Sequence, residues 1–368
     1  VKTVFLIAGE SSGDLHGANL IRALKAQDPE VTCFGLGGRT METAGMELVQ
    51  DLASDAIMGF AEVLRRLLPL RRLLLDTVAL IRERRPDVIV LIDYPGFNIR
   101  FAEAVAELGI PIVYYISPQV WAWKKKRIHK IARLVRKMLV IFPFEEELYR
   151  DKGVYCRYVG HPLLDELKDL QKTGDEEDET IIGMLPGSRS QEIQRIAPVM
   201  AQVCRDILAR KAEIRFMTAC TNEARAREVR AAFEGLPVEV KVRPSREVFL
   251  KSRCCLIASG TATLEAALLE TPFLIVYKVN RISYWLARLL VRIPYIGIVN
   301  ILTGSDIVPE YIQHEANSDK ITPVLLELLE DSPLRNQMMA NFRMLQTHLG
   351  GPGASDCAAE EILALLRQ

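Results

Sequence analysis

Short apolar runs rich in β-branched residues recur along this chain, and each ends at Gly, Pro, Ser or Asp before a helical pattern begins. No other feature narrows the fold so far. In the first half they are Thr3–Ala8, Val31–Phe34, Val88–Ile92, Ile112–Ile116, Met138–Phe142 and Arg157–Val159. In the second half they are Ile181–Leu185, Ile214–Thr218, Val238–Val242, Cys255–Ala258 and Phe273–Tyr277. Unbroken apolar strands separated by helices belong to parallel sheets covered on both faces.

Between the two series lies Gly174-Asp-Glu-Glu-Asp-Glu179, a charged stretch with nothing to bury and the best linker in the chain. At 368 residues there is room for two cores of ordinary size. The expectation is an α/β protein of two Rossmann-like, doubly wound domains facing across a cleft, one over 1–172 and one over 180–344. In such sheets ligands sit beyond the carboxyl ends of the strands, so the residues after each strand carry the functional reading.

Bulk properties remove several classes. The formal net charge is zero, which gives a nucleic-acid partner no support. Seven cysteines are scattered without a C-x-x-C pair and read as reduced thiols, with Cys204, Cys254 and Cys255 in apolar runs as core filler. Val1 to Ala8 reads as an opening strand and not as a signal peptide. No uncharged apolar run reaches the length of about eighteen residues that a spanning helix needs. Of the five histidines only His16 and His161 fall near strand ends, and no spacing suggests a metal site.

In the second half, Leu185-Pro-Gly-Ser-Arg189 follows a strand and opens a helix near Ser190. Gly187 lets the backbone approach an anion, Ser188 adds a small side chain and an N–H, and Arg189 supplies a cationic fork. The competing account is an ordinary turn with a solvated arginine. Ser259-Gly-Thr-Ala-Thr263 repeats the logic, with Ser259, Gly260 and Thr261 as the loop. Two small-residue anion loops at one sheet mouth suit a diphosphate. Glu265, early in the following helix, is placed to accept from ribose hydroxyls; a favourable acidic residue near a helix N-terminus is the plainer reading. Neither loop is a G-x-G-x-x-G or a P-loop, and Asp-x-Asp is absent from the sequence. A transfer without metal or other cofactor is therefore expected, with arginine and helix N-termini neutralising the leaving group.

In the first half, Gly9-Glu-Ser-Ser-Gly-Asp14 follows the first strand. Gly9 and Gly13 would let a ligand lie against the backbone, with Glu10, Ser12 and Asp14 on sugar hydroxyls; the alternative is a capped helix start. Asp93 ends the run Val88–Ile92, where scarce water raises a carboxyl toward the range of a general base. Ser117-Pro-Gln-Val-Trp-Ala-Trp123 holds two of the three tryptophans, for stacking on sugar or for core packing. Three stretches could meet a membrane. The first is a basic helical face of Lys126, Lys130, Arg133 and Lys137. The second is the leucine-rich Phe60–Ile81, interrupted by Pro69 and flanked by arginines, and the third is Ile282–Ile293.

Taken together, Gly-Glu-x-Ser-Gly-Asp (9–14), Ile-Asp-x-Pro-x-Phe-Asn (92–98), Ser-Pro-x-Val-Trp-Ala-Trp (117–123), Phe-Pro-Phe-Glu (142–145), Gly-His (160–161), Leu-Pro-Gly-Ser-Arg (185–189) and Ser-Gly-Thr-Ala-x-Leu-Glu (259–265) resemble the lipid-A-disaccharide synthase family. The match in order and spacing runs from about residue 5 to the C-terminal helix. The resemblance implies a GT-B fold, with a tail over 345–368 that commonly crosses back to the first domain. It implies UDP-2,3-diacylglucosamine as donor and 2,3-diacylglucosamine 1-phosphate as acceptor, joined β-1′,6 with release of UDP. It also implies peripheral attachment to the cytoplasmic face of a Gram-negative inner membrane.

Carried over by motif, Asp93 is the base, while Gly187–Arg189 and Ser259–Thr261 hold the diphosphate. Glu265 takes the ribose, Asn300 lies near the donor, and Glu10, Ser12, Asp14 and Asn98 meet the acceptor. Val299 stands where the family often has Pro, which weakens the transfer to Asn300. The rivals are another GT-B transferase acting on a lipid-linked amino sugar, and a non-catalytic nucleotide-sugar sensor docked on membranes. Acyl-chain length and oligomeric state are not legible; a homodimer is one open reading.

Overall fold

The computed structural model describes residues 2–52, 60–118, 127–170, 178–280, 284 and 294–367, with backbone alone for 60–68 and 178–179. Chain contacts divide it into two compact units, Val1–Asp165 with Gly351–Gln368, and Glu166–Gly350. The charged stretch around Gly174 lies largely outside the described residues.

The first unit is built on a seven-stranded sheet of β1 (Thr3–Ala8), β2 (Thr32–Gly37), β3 (Glu47–Asp51), β4 (Val88–Ile92), β5 (Ile112–Tyr115), β6 (Lys137–Val140) and β7 (Tyr155–Tyr158). Their spatial order is β3-β2-β1-β4-β5-β6-β7, and every pair is parallel. The second unit carries β8 (Asp178–Leu185), β9 (Arg215–Cys220), β10 (Val238–Val242), β11 (Ser252–Ala258), β12 (Phe273–Tyr277) and β13 (Glu310–Ile312). Its order, β10-β9-β8-β11-β12-β13, is also wholly parallel.

Each sheet reverses its winding at one place, between β1 and β4 in the first and between β8 and β11 in the second. The loops after those neighbouring strands diverge to opposite faces and leave a crevice, which is where open α/β sheets bind ligands. Asp93 and the Gly9 loop follow β4 and β1. The Gly187 and Ser259 loops follow β8 and β11.

Burial explains why the central strands form. All five residues of β4 are fully buried, so helices cover both of its faces. Each such side chain contributes about 1.5–3 kcal/mol relative to exposure. Phe5 of β1 lies 5.1 Å from Phe34 and 5.8 Å from Phe101, which joins the sheet to the helix Pro95–Val105. The edge strands β3 and β13 have no fully buried residue, and the apolar pattern gave no sign of them. The helix Phe60–Arg84 runs through Pro69 without ending.

The helix Pro333–Leu349 stays with the second unit, where Phe342 stacks on Phe273 at 5.5 Å. The helix Ala354–Leu366 belongs to the first unit and packs on the helix Ser11–Gln27. Asp165 accepts the backbone N–H groups of Gly353, Ala354 and Ser355 and so caps its start. Near its end Glu361 takes Lys137 Nζ at 2.7 Å together with Arg157. Burial works against the charge of Glu361, but these donors hold its carboxyl below the usual range.

The cysteines are free, and all but Cys357 are buried.

Candidate active site

Asp93 leaves β4 through a strained turn. Asp93 and Tyr94 both have left-handed backbones, with φ of 43° and 45°. Such residues cost on the order of 1–3 kcal/mol each, and Tyr94 also precedes a proline, which disfavours helical conformations there. Buried side chains hold the turn. Tyr114 Oη donates to the Asp93 carbonyl at 2.7 Å and Asn98 Nδ2 donates to it at 2.8 Å. The Asp93 N–H donates to the Tyr115 carbonyl at 3.1 Å. These bonds hold the Asp93 backbone at the end of β4, beside β1. Burial and the nearby negative charge of Glu10 raise the pKa of its carboxyl to about 6, against a smaller lowering by the Tyr94 N–H. A carboxylate poised there takes a proton near neutral pH more readily than an ordinary aspartate.

The other first-half candidates divide. Glu10 precedes the helix Ser11–Gln27 and remains partly exposed, and Ser12 is exposed on its first turn. Asp14 is buried, and its oxygens accept the N–H groups of Gly38 at 2.8 Å, Thr40 at 3.0 Å and Met41 at 3.1 Å. In this structure it builds the turn after β2. Asn98 is likewise 0 % exposed and serves the Asp93 backbone. Nor is Gly9 open to a ligand, because a Cβ there would fall 2.3 Å from the Tyr94 ring. Gly13 faces Ala8 and Ile92 and sets helix-to-sheet packing. His16 and His161 stay neutral: burial lowers them to about 4 and about 3, with Asp165 opposing the first shift and His16 adding to the second.

At the second switch point Arg189 is mostly exposed at the start of the helix Ser190–Leu208. Gly187 has φ of 110°, a conformation that favours glycine. Glu192 reaches back to accept from the N–H groups of Ser188 at 3.1 Å and Arg189 at 3.2 Å, and from the Arg189 guanidinium at 3.0 Å. The Gly260 loop opens the helix Thr261–Leu268, whose N-terminus has no side-chain cap. Ser259 Oγ donates to the Ile296 carbonyl at 3.3 Å. Glu265 is largely buried and accepts from Ser245 Oγ; burial raises its pKa, opposed by Ser245 and Arg246.

Asn300 bonds within its own segment. It is fully buried, and its amide is consumed internally. Nδ2 donates to the Val308 carbonyl at 2.8 Å and to Glu310 Oε1 at 2.9 Å, while Oδ1 accepts from Ile307 and Val308 N–H, both at 3.0 Å. It fastens residues 305–310 to the helix Ile298–Thr303. Glu310 adds bonds to the N–H groups of Ile296 at 2.9 Å and Gly297 at 2.8 Å, and so fixes the segment that Ser259 touches.

Tyr114, Glu192 and Glu310 are the residues that sequence reasoning missed. Only Glu192 had a signal, three positions after Arg189, the residue just before its helix. The tryptophans Trp121 and Trp123 lie outside the described residues. So do Lys126 and the stretch 282–293, Tyr284 excepted. The basic face loses two of its members: Lys130 pairs with Glu103 at 2.5 Å, and Lys137 is bound to Glu361 beyond the end of the helix Arg127–Leu134.

A family model described as lipid-A-disaccharide synthetase matches residues 4–362. A lipid-A-disaccharide synthase of Myxococcus xanthus is 36 % identical, over 99 % of this chain and 97 % of its own. Another, from Syntrophus aciditrophicus, is 38 % identical over 100 % and 98 %. Among solved structures, a putative UDP-N-acetylglucosamine 2-epimerase from Listeria monocytogenes superposes with a TM-score of 0.68 at 15 % identity, covering 100 % of this chain and 96 % of that one. CalG4, the calicheamicin glycosyltransferase, gives 0.64 at 14 % over 100 % and 98 %. These structures share the GT-B fold. With the family model and both relatives spanning nearly its full length, the chain belongs to the lipid-A-disaccharide synthetase family.

Proposed function

We propose that this enzyme joins UDP-2,3-diacylglucosamine to 2,3-diacylglucosamine 1-phosphate by a single displacement, with Asp93 as the base. The 6-hydroxyl oxygen of the acceptor attacks the anomeric carbon of the donor. The bond to UDP breaks with its electron pair, configuration inverts, and the hydroxyl proton passes to Asp93. The β-1′,6-linked disaccharide 1-phosphate and UDP result. Arg189 and the N–H groups of the Gly187 and Ser259 loops stabilise the charge that grows on the leaving diphosphate, and Glu265 holds the ribose. The raised-pKa carboxyl of Asp93, on a pinned backbone at a switch point, is the observation that carries this reading. Glu10 and Ser12, beside it after β1, meet the acceptor.

Purified enzyme given both substrates should yield UDP and the disaccharide 1-phosphate, identified by mass, and should keep its rate in a chelator. UDP release independent of the acceptor would overturn the assignment, and loss of rate in chelator would overturn its metal independence.

The lipid substrates call for peripheral contact with the cytoplasmic face of the inner membrane. Among the described residues the helix Phe60–Arg84 supports this best. Leu75 is 60 % exposed beside exposed Arg71 and Arg72, an apolar and cationic pairing suited to anionic headgroups. Among them, too, no helix is long and apolar enough to cross a membrane.

A further inference from the structure

The loop given above to the donor's diphosphate already holds an oxyanion in this structure, and that oxyanion belongs to the protein. Glu192 is the third residue of its helix. An ordinary cap at that position needs one bond, to the N–H of the residue before the helix. Glu192 makes three: Oε2 accepts from Ser188 and Arg189 N–H at 3.1 and 3.2 Å, and Oε1 takes the Arg189 guanidinium at 3.0 Å.

The backbone is shaped around it. A Cβ on Gly187 would lie 2.4 Å from Glu192 Oε2 and 2.8 Å from its Cβ, so glycine is what admits the side chain to this position. Tyr277, at the end of β12, lies within range of both the Glu192 and the Arg189 charge. Two neighbouring amides and a guanidinium are a donor set for one phosphate group, and a carboxylate fills it now.

We propose that Glu192 is an internal stand-in for the donor's diphosphate, occupying the Ser188–Arg189 cradle until UDP-sugar displaces it. The inference rests on the reading that this loop takes the diphosphate. Arg189 is 68 % exposed and Glu192 29 %, so the pair is partly solvated and weakly held, which makes the exchange cheap. The arrangement keeps the donors oriented without ligand, and it lowers the apparent affinity by the fraction of molecules whose cradle is open. It also favours departure of UDP after transfer, because the carboxylate returns to the vacated groups.

Titration calorimetry with UDP on the wild type, Glu192→Gln and Arg189→Ala tests this, with thermal melts to confirm folding. The wild type should bind UDP and Arg189→Ala should bind at least about tenfold more weakly. Glu192→Gln should bind about tenfold more tightly, with product inhibition by UDP strengthened to match. A folded Glu192→Gln protein with unchanged or weaker UDP affinity overturns the proposal and leaves the diphosphate reading standing. Equal affinity of wild type and Arg189→Ala overturns the diphosphate reading itself. Should Glu192→Gln not fold, the wild-type complex with UDP decides: Glu192 off the two amides supports the proposal, and Glu192 still on them overturns it.

Discussion

The two switch points are built in opposite ways. After β4, the Asp93 turn is strained and locked from beneath, with Tyr114 and Asn98 both donating to one carbonyl. After β8, the Gly187–Arg189 loop is largely open to solvent, and the Ser188 and Arg189 N–H groups and the Arg189 guanidinium meet one carboxylate on the loop's own helix. On the proposed roles the difference makes sense: a base keeps one geometry through every turnover, so buried bonds and backbone strain are tolerable there, whereas a diphosphate site fills and empties each cycle and suits groups that exchange partners.

The largest expected effect breaks the comparison on the first side alone. Asp93→Asn should lower turnover by about a thousandfold, while UDP binding measured by calorimetry stays within about twofold of wild type. A parallel loss of UDP affinity would mean that the two sites are not separable.

Next comes Asn300, whose amide in this structure serves the scaffold. Asn300→Ala leaves buried N–H groups of residues 307 and 308 unpaired and should cost about 2–4 kcal/mol in denaturant unfolding. UDP affinity of the folded fraction should stay within about threefold. A selective loss of affinity would return Asn300 to the donor site.

A third test uses the pH dependence of the strained turn. The folded pKa of Asp93, about 6, stands above the ordinary 3.8. Its stabilising contribution is therefore complete below about pH 4 and is lost as pH rises through about 6. Asp93→Asn removes that loss and should be the more stable protein at pH 8, by on the order of 2 kcal/mol, with the gap closing at pH 4. The inactive variant outlasting the active one in thermal melts is the signature to look for.

The smallest effect sharpens the locking argument. Tyr114→Phe removes one of two donors on the Asp93 carbonyl and should cut kcat about tenfold with donor KM unchanged. The acid limb of the rate profile should shift with it. An unchanged limb would leave Tyr114 as a packing residue only.

Much of the fold was legible because its information is local. Runs such as Val88–Ile92 are apolar throughout, and only a strand buried on both faces needs that. β3 and β13 escaped notice because edge strands do not require it: Glu47–Asp51 and Glu310–Ile312 are mostly polar or half exposed. At the site, sequence position singled out Asp93, which directly follows β4, and Arg189, which ends the loop between β8 and the next helix. What position alone could not show is that Asp14, Asn98 and Asn300 each bond to nearby backbone groups. A polar side chain can face solvent or fold back onto loose backbone amides and carbonyls, and that choice depends on the path of a neighbouring loop. Asp14 answers to residues 38–41, and Asn300 to residues 306–310. Glu192 was passed over because its partners lie in the loop just before it, which reads equally well as an ordinary turn with a solvated arginine.

The cap that Asp165 places on Gly353–Ser355 joins points 188 to 190 residues apart in the chain. During synthesis, the seven strands of the first unit are complete long before the helix that Asp165 and Glu361 anchor has been made. The whole second unit is translated in between, and its own sheet is fully specified by Ile312. The unit that starts first therefore finishes last, and a ribosome stalled anywhere before Glu361 holds the first unit without its completed final helix. Closing the intervening loop costs only logarithmically more than a short one would, so a second domain of this size inserts at little expense to the first. The order of folding, and with it the species exposed to aggregation or proteolysis, is written into where the last helix goes.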